Sequence, residues 1–237
     1  PAELVEAVID AAWSGPLAIT ERIKLMTTLP LINSTWRGTF LRMSSRDVHI
    51  PCAPYAEHYL SILRRSSPSY DVETQAYIES LCRTITFEIE YPSHAGSQMV
   101  VSHPTAKAMG NFFYFVSDEE MGFLPHLRTV RIQYHNMDTD DLFDNLPLAE
   151  FPSQVGSLDI SFTFDDTLPS RLIKRFPSRC TLLPSPPWSM PYIKHLSLSG
   201  CVKDVITNMV MVCTRLEVLE LTVDPVMEMV VPLPDSI

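Results

Sequence analysis

Glycine is scarce, with 7 in 237 residues where an average protein has roughly 7%. None of G-x-x-x-x-G-K, G-x-G-x-x-G or G-x-S-x-G is written, so a phosphate cradle or nucleophile elbow has no candidate. Cysteine is also sparse. Cys52, Cys82, Cys180, Cys201 and Cys213 are odd in number and form no C-x-x-C pair, which fits buried thiols in a reducing compartment better than a disulfide framework. Metal signatures are missing too: there is no H-E-x-x-H or H-x-x-x-H, and Cys52 and His58 lack a matching second pair. His195 and Cys201 flank a predicted strand, which explains them without a metal. No apolar run approaches the ~18–20 residues of a membrane span. With a net charge of −10 and pI near 5.1, nucleic acid and anionic membrane are excluded as main partners. No catalytic residue, cofactor or metal is expected. The chain opens at Pro1 without Met or a signal-type stretch, which reads as a fragment whose start lies upstream and, by default, as a cytoplasmic or nuclear protein.

What is present is a large apolar fraction, 46%, enough for a sizeable core in one domain or in a small module plus a body. Charge is uneven. Residues 1–50 carry 5 acidic and 5 basic groups, whereas residues 111–237 carry 17 against 9. The later half reads as a solvated acidic face, with a surface for a basic ligand as the alternative.

Residues 1–43 read as three short helices. From Glu3 to Trp13, Leu4, Val5, Val8, Ile9 and Ala12 recur at helical spacing, and Ser14-Gly15-Pro16 ends the run. A second helix begins near Thr20, whose hydroxyl can cap it, and runs through Ile23, Met26 and Leu29 to Pro30. A third runs towards Met43, with Ile32, Trp36, Phe40 and Met43 inward. Three helices in ~43 residues sit at the lower limit for a self-sufficient module. Their apolar surface needs cover from the body or from a partner.

This opening resembles an F-box, the helical module that docks a protein onto the Skp-type adaptor of a cullin ubiquitin ligase. Pro1, Glu3 and Leu4 match its Leu-Pro-x-Glu-Leu, Val8 and Ile9 its Ile-Leu pair, and Ile32 and Trp36 its Val-Cys-x-x-Trp step. Asn33 stands where the Cys is usual, and Trp13–Thr20 is longer than a compact F-box needs. Similar openings, followed by a stretch like Ser45–Pro51, occur in a large group of F-box-like proteins of mushroom-forming fungi. The resemblance implies that Pro1, Leu4, Val8, Ile9, Ile32 and Trp36 form the adaptor-facing and core surface. The alternative is an ordinary helical cap on the body behind it.

Beyond residue 44, an apolar residue, two others, then two apolar residues one apart return six times. With Val48, Ile85, Val130, Leu158, Leu196 and Leu219 as reference, the steps are 37, 45, 28, 38 and 23, longer and less regular than the ~20–29 of leucine-rich repeats. Ile193-x-x-Leu196-x-Leu198-x-x-Cys201 fits the full repeat, in which the Cys turns inward and bonds backbone in the next coil; His135, Thr163 and Asp224 hold that place elsewhere. Helices are expected at Tyr55–Ser66, with Tyr59, Leu60 and Leu63 inward, at Asp71–Arg83, with Val72, Ala76 and Leu81 on one side, and at Asp138–Leu146, Leu168–Phe176 and Val202–Cys213. Strand–helix alternation implies parallel pairing. The fold expected is therefore α/β, a three-helix F-box-like module at 1–43 leading an irregular leucine-rich-repeat-like solenoid of parallel strands at 44–237; a closed α/β domain is the alternative. In a solenoid the strand face is a broad binding surface.

Pro184-Ser185-Pro186-Pro187-Trp188 reads as a stiff extended loop, with Trp188 either tucked over the coil edge or exposed as a target-binding anchor. Asp118-Glu119-Glu120 and Asp138-x-Asp140-Asp141 resemble paired carboxylates, but each is expected to open a helix, where acidic groups meet the positive dipole end. The function expected is non-catalytic: a substrate-recognition subunit that holds a Skp-type adaptor and an unidentified protein target. The alternatives are a repeat scaffold that has lost its adaptor and an α/β enzyme with an unwritten site.

Overall fold

A computed structural model describes residues 2–15, 17–90, 103–118, 122–136, 151–164, 189–201 and 203–222. Pro1, Cys180, Glu119, Glu120, Asp224, Trp188 with its proline-rich loop, and the helices expected at Asp138–Leu146 and Leu168–Phe176 lie outside them. The described chain begins with α1 (Ala2–Ser14) and α2 (Ile19–Thr28), a 3-10 turn (Leu29–Leu31) and α3 (Ser34–Arg46). It continues through β1 (Asp47–Ile50), α4 (Ala53–Leu63), α5 (Val72–Leu81), β2 (Thr84–Glu90) and α6 (Pro104–Val116). Then come β3 (Thr129–His135), β4 (Ser157–Thr163), β5 (His195–Ser199), α7 (Lys203–Val212) and β6 (Val218–Thr222). No helix among the described residues is long and apolar enough to cross a membrane.

All six repeated patterns are strands. They form one parallel sheet whose strand order is the chain order, β1 to β6. The register explains the pattern: Val48, Ile85, Val130, Leu158, Leu196 and Leu219 lie side by side in one lateral row. Ile50, Phe87, Ile132, Ile160, Leu198 and Leu221 form the next. Side chains alternate across a strand, so both rows face one side, where from β1 to β5 they are buried with the helices. On β6, Leu219 and Leu221 stay exposed.

The most buried helix, α6, is one that apolar periodicity did not announce. His103 caps it, accepting from the Thr105 N–H through Nδ1 while Nε2–H donates to the Glu90 carbonyl, and Pro104 occupies the first turn, where a missing N–H costs nothing. Phe112 and Phe113 meet the Phe87 ring edge-on at 5.6 and 5.3 Å, within the favoured range for aromatic pairs.

Four local expectations are corrected. In α2 the N-cap is Ala18, and the Glu21 carboxylate accepts from its N–H at 3.1 Å; Thr20 lies inside the helix. In α5, Val72 and Ala76 are exposed, whereas Gln75 and Ile78 are buried. Gln75 turns inward because its amide donates to the Tyr70 and Ser67 carbonyls, closing the preceding loop. Asp118 follows the end of α6 and opens no described helix. Cys201 donates to the Ser199 carbonyl two residues back, at 3.5 Å, and makes no bond to the next strand. At the matching places, His135 and Thr163 join β3 to β4 through their side chains.

Candidate functional site

Helix α1 is apolar on two opposed sides. At 100° per residue, Val5, Ile9 and Trp13 fall on one arc, and Leu4, Ala7, Val8 and Ala11 on another at i, i+3, i+4 and i+7. The first arc is covered: Ile9 is fully buried and Trp13 is 2% exposed, in a small core with Leu29 and Phe40. Trp13 meets the Phe40 ring edge-on at 5.2 Å. On the second arc every residue is exposed, with Leu4 at 63% and Val8 at 54%. Helix α3 completes the small core with Phe40, while Trp36 and Met43 pack against it partly buried. An ion pair, Glu6–Arg42 at 2.7 Å, links α1 to α3, but both side chains are half exposed and it contributes little.

The six residues singled out by resemblance therefore separate. Ile9 belongs to the core, Trp36 packs partly buried against it, Leu4, Val8 and Ile32 are exposed, and Pro1 lies outside the described chain. Ile32 departs from the inward position expected of it. It sits between the 3-10 turn and the α3 N-cap, off the helical face that carries Trp36 and Phe40, and is 53% exposed. Leu31 beside it is 82% exposed. Asn33 has a local role: its side chain accepts from the Trp36 N–H at 3.1 Å and caps α3, as Asn does well.

The small core sits on the polar side of the sheet. The Trp13 indole N–H donates to the Asp47 carbonyl at 2.9 Å, and its ring meets His49 edge-on at 5.0 Å. Arg22 of α2 donates to the carbonyls of Trp13 and Gly15 at the end of α1, where the helix dipole favours a cation. The same guanidinium pairs with Glu88 of β2, Nε to Oε1 at 2.8 Å, and His49 Nδ1 lies 3.3 Å from that oxygen. Burial pushes the His49 imidazole below its ordinary range, against the raising effect of its bond to Glu88.

Across β3 to β5 the polar side is more open. Arg131 and Asp159 lie 3.9 Å apart, 48% and 39% exposed, and partial burial raises the Asp159 carboxyl against the opposing effects of Arg131 and the Ser197 hydroxyl. A cleft of about 260 Å³ opens at the strand ends, between Leu17, Ile19 and Thr20 on one side and Glu90, His135 and Thr163 on the other. Burial pushes the Cys82 and Cys201 thiols up to about 12 and Cys213 to about 11, so these remain thiols, poor nucleophiles at neutral pH. Among the described residues no group of three His, Cys, Asp or Glu is placed to hold a metal ion.

Comparison of the chain with protein-family models, curated proteins and solved structures finds no match in any of the three.

Proposed function

We propose that this protein is a non-catalytic bridge: an F-box-like helical module that docks on a Skp-type adaptor, carried on an irregular leucine-rich-repeat-like body that binds a protein target and presents it for ubiquitin transfer. The observation that carries this reading is the second apolar side of α1. A helix whose core needs are met by Ile9 and Trp13 has no internal use for exposed Leu4 and Val8, and an exposed stripe at helical spacing suits burial against another protein. The resemblance names the adaptor as that protein. The chain order of the strands supports the repeat reading, because each strand needs only its neighbours. Linkage alone then raises the effective concentration of target near a charged enzyme.

The test is co-purification of the full-length protein with the adaptor, with Leu4→Asp/Val8→Asp as the variant. Both positions are exposed, so the variant should keep its native melting temperature and lose the adaptor. An unmutated chain that captures no adaptor, or a variant that captures as much as the parent, would refute the proposal. A second reading, a scaffold whose helices merely cap the sheet, is favoured by the docking of Trp13 and Arg22 on the strand face; it predicts no adaptor capture by either protein.

A further inference from the structure

We infer that Arg22, Glu88 and His49 form an internal lock that holds the N-terminal helices on the polar face of β1 and β2. The lock adds a second tie between the two cores, which α3 already joins through Phe40 on the small cluster and Leu41 on the main one. Glu88 lies in mid-strand on the side of the sheet that is polar from β1 to β5, yet it is 2% exposed, and Thr86 on the same side is 1% exposed. In the lateral row of Thr86, Arg131 and Asp159 remain accessible. What covers β2 is α2, through Arg22, itself 5% exposed.

The chemistry favours a lock over a simple contact. Arg22 keeps its two carbonyl acceptors at the end of α1 whether or not the helices are seated. Glu88 obtains a cation only when they are. Its other oxygen, Oε2, accepts no hydrogen bond among the described residues, and Arg22 Nε, though 2.8 Å from Oε1, is not aligned to donate to it, so the pair is incompletely satisfied and adds little net stability. A buried pair of this kind selects an arrangement: any seating that parts Nε from Oε1 strands a carboxylate away from water. Trp13 fixes the remaining freedom by bonding Asp47 and abutting His49.

Hydrogen exchange on the intact protein, read by mass spectrometry, tests this without any adaptor, so a failed adaptor capture leaves it standing. In the native chain the amides of α1 and α2 should be protected to the level of α3. Arg22→Met leaves Glu88 buried without its cation, and should speed exchange in α1 and α2 by about a hundred-fold or more while β3 and β4 are unchanged. Glu88→Gln keeps an acceptor for Arg22 and should give a smaller acceleration confined to the same helices; it decides the matter if Arg22→Met does not fold. Free exchange of α1 and α2 in the native chain, equal acceleration over the whole chain, or no change in either variant would overturn the inference.

Discussion

Three glycines make an internally controlled test of the geometry. At Gly200 the backbone has φ +64°, and an added Cβ would stand 2.1 Å from the Phe162 carbonyl oxygen, well inside any contact distance. Gly122 has nearly the same φ, +60°, but nothing within 4 Å of an added Cβ. Gly38 lies inside α3, with no positive φ and open space around it. Replacing each by Ala separates the terms. Gly38→Ala should stabilise by about 0.5–1 kcal/mol, the ordinary helical gain. Gly122→Ala should cost about 1–2 kcal/mol for the left-handed backbone alone. Gly200→Ala carries that cost plus about 1–3 kcal/mol for a clash with neighbouring main chain, which cannot rotate away. The clash also threatens the 3.2 Å hydrogen bond from the Gly200 N–H to the Thr222 carbonyl. In urea unfolding, with m near ~2 kcal/mol/M, the Gly200→Ala midpoint should fall about 0.5–1.5 M below that of Gly122→Ala. Equal midpoints for these two would refute the packing of Gly200 against β4.

Stability should be greatest in a window set by buried histidines and thiols. Burial holds His49 and His103 below their ordinary 6.5, so below pH 6.5 the unfolded chain gains protons that the folded one resists, and stability falls as pH drops through the folded values. Cys82, Cys201 and Cys213 are held above their ordinary 9.0, so stability is full below pH 9 and falls as pH rises towards 11–12; urea midpoints at pH 5, 7.5 and 10 should peak at the middle value. Iodoacetamide should alkylate Cys82 slowly in native protein at pH 7.5 and rapidly in urea, since the thiol is fully buried; equal rates would contradict its burial. Phe112→Ala should cost about 3–5 kcal/mol, measured by the same unfolding, because its ring packs on Tyr59, Phe87 and Phe113.

Alternation made the strands legible: an apolar residue at every second position, repeated six times, left one way to align them, and the aligned residues are neighbours. Helix α6 was hidden by its own burial. Phe112, Phe113, Tyr114 and Phe115 are consecutive, so the 3.6-residue period of Ala106, Met109, Phe113 and Val116 is blurred, leaving His103-Pro104 as the only start signal. Ile32 escapes the helical phase of Trp36 and Phe40 because the chain makes a 3-10 turn at Pro30. Val72 looks outward although it is the more apolar residue, because the Gln75 amide must reach the Ser67 and Tyr70 carbonyls to close the loop. The exposed side of α1 was written in the spacing of Leu4, Val8 and Ala11, but sequence alone could not say which of two apolar sides is covered. Nothing local marks Arg22, His49 and Glu88 as partners; separations of 27 and 39 residues are closed only by the sheet.

The indole of Trp13 bonded to Asp47 also has a meaning for solubility. Strand β1 is only four residues long and lies at the edge of the sheet among the described residues, and a bare terminal strand invites another chain to pair with it. Trimming the protein back to residue 34 would strip that guard and leave the Asp47 carbonyl in want of a donor, so the shortened chain should self-associate where the longer one stays dispersed.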